Sequence, residues 1–261
     1  MPELPDLEVY ARNLTRMLEN EEISEVEVVR PKRVHPSAKE LQSALLGKKI
    51  MKVRRSGKEM RIDVEGGHSL GIHLMLNGAL IPVKKGDTAK YVSVILHFTD
   101  GTRLAITDRQ AWVIVQLDPP GSDVPDALDK EFTLPYFTTK IKNRKSIPIK
   151  LLLVDQDVVL GIGNAYADEI LHEAGVDPAS VSGKLPDGVI KDIHEAIPKV
   201  LKRAIKEMER AHPDLTSGEP RDHMAVHNAD LEKTKNGKPI KTKDVGGKKT
   251  YYTEDQGFYG N

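Results

Sequence analysis

A change of apolar period at Asp118-Pro119-Pro120-Gly121-Ser122 constrains this chain more than any other feature. Before it, residues 23–29, 49–55, 60–64, 69–74, 79–83, 92–98, 103–106 and 112–117 read as short strands. Glycine-containing turns such as Glu65-Gly66-Gly67 and Asp100-Gly101 separate several of them. After it the spacing is helical, over 165–174, where Gly175 ends the run, and over 188–211, with Pro198 inside as an expected kink. A further helix is expected at 3–19, where Leu4, Leu7, Tyr10, Leu14, Met17 and Leu18 form one stripe. The tail holds Gly237, Gly246-Gly247 and Tyr251-Tyr252, a pattern for a β-hairpin. The chain therefore reads as α+β: an N-terminal β-sandwich with a terminal helix (1–122), a helical domain (123–223) and a hairpin (224–261).

Composition narrows the chemistry. With no cysteine, disulfides, iron–sulfur clusters and thiolate zinc sites are excluded. No secretion signal and no apolar run near the ~20 residues of a membrane span is present, so a soluble cytoplasmic protein is expected, and a monomer is the expected state. Charge balances, at 39 Lys+Arg against 39 Asp+Glu, but unevenly. Lys48, Lys49, Lys52, Arg54, Arg55, Lys58 and Arg61 enclose only Glu59, and Lys140, Lys142, Arg144, Lys145 and Lys150 follow without an acid among them. Such stretches either converge on a polyanion or are solvated faces; charge alone leaves both open.

Two motifs carry chemistry. If Met1 is trimmed from Met1-Pro2-Glu3-Leu4-Pro5-Asp6, Pro2 becomes a terminal secondary amine. Such an amine is partly unprotonated near neutrality and can form an iminium with an electrophilic carbon, while an adjacent carboxylate such as Glu3 moves protons. The alternative is that the prolines begin a helix and Glu3 complements its dipole. In Gly161-Ile162-Gly163-Asn164 the glycines allow close backbone approach and Asn164 opens a helix, which suits a phosphate. An interhelical turn is the alternative; a dinucleotide fingerprint fails because Tyr166 stands at its third glycine.

Met-Pro-Glu-Leu-Pro at the N-terminus resembles the formamidopyrimidine-DNA glycosylase/endonuclease VIII family. A second, distant match runs from Ile147-Pro148-Ile149-Lys150 through Asp155-Gln156 to Gly161-Ile162-Gly163-Asn164-Ala165-Tyr166-Ala167-Asp168-Glu169, and resembles that family's helix–two-turn–helix element. The resemblance implies base-excision repair of damaged duplex DNA, by a glycosylase and abasic-site lyase that keeps the DNA between its domains and needs no cofactor. It implies Pro2 as nucleophile, Glu3 and Lys58 as proton carriers, and Asp6 in place of the family's glutamate. His73-Leu74-Met75-Leu76-Asn77-Gly78 is similar to the segment that fills the duplex where the damaged nucleotide leaves it, with Leu76 or its neighbour Met75 as the wedge and His73 near the backbone. Gln110 and Trp112 stand for two further void fillers, and Asn164 for a phosphate contact. The family's zinc finger aligns with Lys233, Asn236, Thr253 and Gln256 at the ligand positions, so a zincless finger without metal is expected, Lys248 replacing its phosphate-gripping arginine. His212–Met224 is where a base-covering loop would fall, and its shortness favours formamidopyrimidines and oxidised pyrimidines. The expected location is the cytoplasm, at the nucleoid. A damage-binding or architectural protein with little catalysis is the second reading, and a structured-RNA binder the third.

Overall fold

The computed structural model describes residues 1–260. Leu4–Leu18 form helix α1, which buries Leu4, Leu7, Val9, Tyr10, Leu14 and Leu18. Pro5 lies in its first turn, where a missing N–H leaves no intrahelical bond unmade. Two antiparallel-rich sheets follow. The first joins β1 (Ile23–Val28), β7 (Val92–Phe98), β8 (Arg103–Thr107) and β6 (Ala79–Val83) in that order. The second has the order β2 (Val34–His35), β9 (Ile114–Leu117), β5 (Ser69–His73), β4 (Glu59–Val64) and β3 (Ile50–Ser56), with β2 and β9 parallel. Val94, Leu96 and Ile106 from the first sheet and Val53, Ile62 and Ile72 from the second share one buried cluster with the stripe of α1. That shared core is the expected sandwich.

The second half is helical: α3 (Leu134–Asn143), α4 (Ile149–Leu153), α5 (Asn164–Glu173) and α6 (Asp187–Ala211), with Pro198 inside α6. The hairpin β10 (Lys241–Val245) and β11 (Lys248–Tyr252) closes the chain. By contacts the chain divides into two units. Met1–Gly121 and Met208–Glu219 form one; Ser122–Glu207 and the chain from Pro220 onward form the other.

Three departures from the sequence expectation have a local cause. Helix α2 (Ala38–Leu45) is capped by Ser37, whose hydroxyl accepts from Glu40 N at 3.2 Å. Helix α3 is capped by Thr133, which accepts from Tyr136 N at 3.3 Å. Both caps are legible serine and threonine signals ahead of helices too short for a clear stripe. The expected strand at 112–117 starts only at Ile114, because the Asp108 carboxylate takes the preceding backbone N–H groups.

Candidate active site and nucleic-acid interface

The N-terminal unit builds its site from the end of α1. Pro2, Glu3 and Asp6 are all buried. Glu3 is the N-cap, and its N–H donates to Asp6 Oδ2 at 2.8 Å. Asp6 thereby fixes the backbone that carries Pro2 and Glu3, a use the shorter aspartate side chain serves well. Along α1, Thr15 Oγ1 donates to Val53 O at 2.8 Å and accepts from Val53 N at 3.0 Å. One end further on, Glu8 pairs with Arg55 at 3.2 Å. Moving toward the helix N-terminus thus moves along β3 toward its hairpin turn, so α1 and β3 are antiparallel and Pro2 lies at the Lys58 end. That turn is the two residues Gly57-Lys58 between the paired Ser56 and Glu59. Gly57 has φ +57°, the left-handed value such tight hairpins require.

Two loops present the expected void fillers. Leu74–Gly78 forms a closed turn in which Gly78 N donates to Leu74 O at 2.8 Å. A Cβ on Gly78 would meet that oxygen at 2.3 Å, so only glycine fits. Met75 takes φ +55°, and the turn leaves Leu76 half exposed while Leu74 is buried. Of the two neighbours, Leu76 is the more exposed. In the second loop, buried Asp108 accepts from Gln110 N (2.8 Å), Trp112 N (2.7 Å) and Val113 N (2.9 Å). Its carboxylate folds the loop so that Gln110 and Trp112 are both exposed. Asn77 Nδ2 donates to Gln110 Oε1 at 2.5 Å, joining the two loops. His73, at the end of β5, is half-buried and accepts at Nδ1 from Met75 N at 3.2 Å. Burial lowers its pKa from the ordinary 6.5; the Glu59 carboxylate opposes this and the Lys58 charge adds to it.

In the C-terminal unit, Gln156 shapes the glycine turn. Its amide accepts from Gly161 N at 3.0 Å and donates to Ile162 O at 2.9 Å. Gly161 has φ +95°, and Asn164 is the first residue of α5. Asn164 Nδ2 donates to Lys249 O at 3.0 Å, so the finger strand β11, and with it Lys248, adjoins the N-terminus of α5. Beneath them lies a buried polar network. Lys150 Nζ lies 2.7 Å from Asp168 Oδ1, both side chains fully buried, and donates to Thr250 Oγ1 at 2.7 Å. The other Asp168 oxygen meets His227 Nδ1 at 2.7 Å and Tyr251 N at 2.9 Å.

The finger positions do not fit zinc. Thr253 Oγ1 donates to Gln256 Oε1 at 3.3 Å and Gln256 Nε2 donates to Val176 O at 2.7 Å, so both side chains are engaged in hydrogen bonds, and Thr253 N also donates to Gln256 Oε1 at 2.8 Å. Neither these nor Lys233 and Asn236 offer the thiolate or imidazole donors of such a site. Among the described residues no group of three His, Asp or Glu could hold a metal ion, and no helix is long and apolar enough to cross a membrane.

Several residues escaped sequence reasoning. Glu219 pairs with the Met1 ammonium at 2.7 Å. Residues 213–219 are tied to α1, where Asn13 donates to Leu215 O at 2.9 Å and Arg16 to Pro213 O at 2.9 Å, while Tyr10 OH donates to Gly218 O. The first part of the segment assigned to a base-covering loop is thus fastened to a helix. Tyr91, half exposed at φ +58°, accepts from Asp108 N at 2.9 Å and stands beside the second loop. No local sequence pattern marks any of these contacts.

The chain thus joins a sandwich, whose buried Pro2 precedes the capped α1, to a helical unit with a glycine turn and a closing hairpin. The comparisons agree. Residues 1–113 match the formamidopyrimidine-DNA glycosylase N-terminal domain, and residues 124–212 match the formamidopyrimidine-DNA glycosylase H2TH domain. A formamidopyrimidine-DNA glycosylase of Pelotomaculum thermopropionicum is 31% identical, with 97% of each chain covered. That of Carboxydothermus hydrogenoformans is 34% identical over 79% of this chain and 78% of its own. Wild-type Lactococcus lactis Fpg, solved with DNA containing an oxidised pyrimidine, superposes with a TM-score of 0.84 at 25% identity, covering 97% of this chain and 98% of the other. The same protein with abasic-site DNA gives 0.84 at 24% identity over 96% and 97%, a likeness of fold. The chain belongs to the formamidopyrimidine-DNA glycosylase family.

Proposed function

We propose that this protein is a DNA glycosylase of base-excision repair that removes oxidised bases from duplex DNA and cleaves the resulting abasic site. Its family and its DNA-bound structural relatives support that activity. The observation that carries the residue assignment is the capped N-terminus, where Asp6 holds the Pro2-Glu3 backbone at the Lys58 end of α1 and β3.

Once Met1 is removed, the Pro2 nitrogen attacks C1′ of the extruded nucleotide. A C1′–N bond forms and the glycosidic bond breaks, with the electron pair leaving on the base. Glu3 supplies the proton that opens the sugar ring, and the product is an iminium. Loss of the C2′ proton then expels the 3′ phosphate, and a second elimination expels the 5′ phosphate. Lys58 neutralises phosphate beside this site and assists proton transfer.

The other assignments support recognition. Leu76 fills the gap left by the extruded base, flanked by Gln110 and Trp112, and His73 contacts the adjacent backbone. An amide NH2 has two N–H groups; Asn164 gives one to Lys249 O, and its second serves a phosphate, with Lys248 alongside. The protein acts as a monomer in the cytoplasm, at the nucleoid, in three functional segments: 1–122, 123–223 and 224–261. Formamidopyrimidines and oxidised pyrimidines are its expected lesions.

Borohydride trapping tests the nucleophile. Wild type should form a covalent adduct with abasic-site DNA, and an uncleavable N-terminal extension should abolish it. Glu3→Gln should bind damaged duplex yet lose excision, since binding uses shape and phosphates while excision uses the proton. Full trapping by protein that mass spectrometry shows to retain Met1 overturns Pro2. Damage binding with no trapping by processed protein favours a non-catalytic damage binder instead.

A further inference from the structure

The turn carrying Leu76 is not held by the sheet alone. Leu74–Gly78 is closed by one backbone bond, from Gly78 N to Leu74 O, and needs the left-handed conformation at Met75. A non-glycine residue adopts that conformation only when its surroundings enforce it. The group that meets Met75 is the His73 ring, whose Nδ1 lies 3.2 Å from Met75 N. An imidazole accepts a hydrogen bond only through an unprotonated nitrogen, so in this arrangement a neutral ring carries its proton on Nε2.

We propose that His73 is a positioning residue for the wedge: its Nδ1 holds the Met75 N–H and so sets Leu76 outward, and the same bond fixes the tautomer that leaves Nε2–H as a donor for the DNA backbone. The inference rests on the reading of Leu76 as the residue that enters the duplex. One side chain then couples two tasks. A ring turned or protonated to grip phosphate with both nitrogens gives up the wedge, and a ring set for the wedge keeps one donor for phosphate.

The surroundings favour the neutral ring. His73 is half-buried at the end of β5, opposite Ile114 of β9. The charged groups acting on it are Lys58 of the hairpin turn and Glu59 of β4, and Glu59 is itself paired with Arg61 at 2.8 Å. Burial dominates and lowers the ring's pKa, which favours the neutral ring, and the Met75 N–H contact identifies Nδ1 as its acceptor nitrogen.

The test uses full-length protein and a duplex with 2-aminopurine opposite a tetrahydrofuran abasic-site analogue, which reports unstacking of the opposite base. Wild type should raise the fluorescence at pH 7.5, and Leu76→Ala should lose most of that rise. Asparagine places an amide oxygen where Nδ1 stands, while glutamine places its amide near Nε2. At protein concentrations that saturate the duplex for each variant, His73→Asn, though binding more weakly for want of the Nε2–H donor, should therefore keep the rise, and His73→Gln should lose several-fold of the signal. The wild-type signal should fall as the pH is lowered through the depressed histidine pKa, below 6.5, and that of His73→Asn should not. His73→Gln with a full rise, where Leu76→Ala has none, overturns the positioning role. Parallel pH profiles for wild type and His73→Asn overturn it too. A full rise with Leu76→Ala overturns the wedge reading itself, a separable result. A purely structural histidine would lose the signal equally in both variants.

Discussion

Two hairpins in this protein each carry a lysine assigned to DNA, and they are held in opposite ways. The β3–β4 hairpin, with Lys58 at its turn, is part of a five-stranded sheet. Along β4 every second residue, Met60, Ile62 and Val64, is buried, so its register is set by hydrophobic alternation. The β10–β11 hairpin, with Lys248 as the first residue of β11 after the Gly246-Gly247 turn, is a two-stranded sheet, a form that is marginal alone in water. Polar side chains from elsewhere secure it: Lys150 to Thr250, Asp168 to Tyr251 N, and Asn164 to Lys249 O. One hairpin is placed by pattern, the other by partners. The lesson is that directed hydrogen bonds from neighbouring elements can place a hairpin whose own two strands supply little.

The largest expected effect comes from breaking the buried ion pair. Lys150→Ala takes the buried ammonium from Asp168, leaving that carboxylate only its contacts to His227 and Tyr251 N, and should cost ~3–5 kcal/mol of C-terminal stability. The sheet hairpin's ion pair, Arg54 with Asp63 at 2.6 Å, is partly exposed, and Arg54→Ala should cost about 0–1 kcal/mol. Urea unfolding of both variants decides it. Equal losses would erase the contrast drawn above.

A smaller effect is expected at Gln256. Gln256→Ala removes the acceptor of Thr253 N and the donor to Val176 O, and should cost about 1–3 kcal/mol. A chelator should leave the wild-type melting temperature unchanged. A chelator-sensitive melt would show that a metal, and not this amide, ties the finger.

Smallest in stability, though measurable in binding, is Lys248→Ala. Stability should stay within about 0.5 kcal/mol, while the salt dependence of duplex binding should fall by about one counterion. An unaltered slope removes Lys248 from the phosphate contacts.

The same contrast explains what was legible in the sequence. Alternation in β4 and the stripe of α1 declare themselves because each is a local period. The motif residues Pro2, Glu3, Asn164 and the glycine turn were legible as a resemblance. Trp112 was named on the same resemblance, but its exposure was not legible, since it follows from Asp108, whose carboxylate draws the backbone of 110–113 around itself. Lys150 reads as one more surface charge in a basic run, yet it is fully buried, because its partners Asp168 and Thr250 are distant in sequence. Glu219 and the 213–219 strap escaped for the same reason: their anchors, Asn13 and Arg16, sit on α1 near the other end of the chain.

The buried Lys150 amine has a consequence for how the finger can be watched. Amine-acylating reagents need an accessible, deprotonated nitrogen, and Lys150 is closed off between α4, α5 and β11. It becomes reactive only in molecules whose hairpin has lifted away. The rate at which this single lysine is acylated, read by mass spectrometry against exposed Lys248 as an internal clock, therefore measures how often the finger opens, without a label or a mutation.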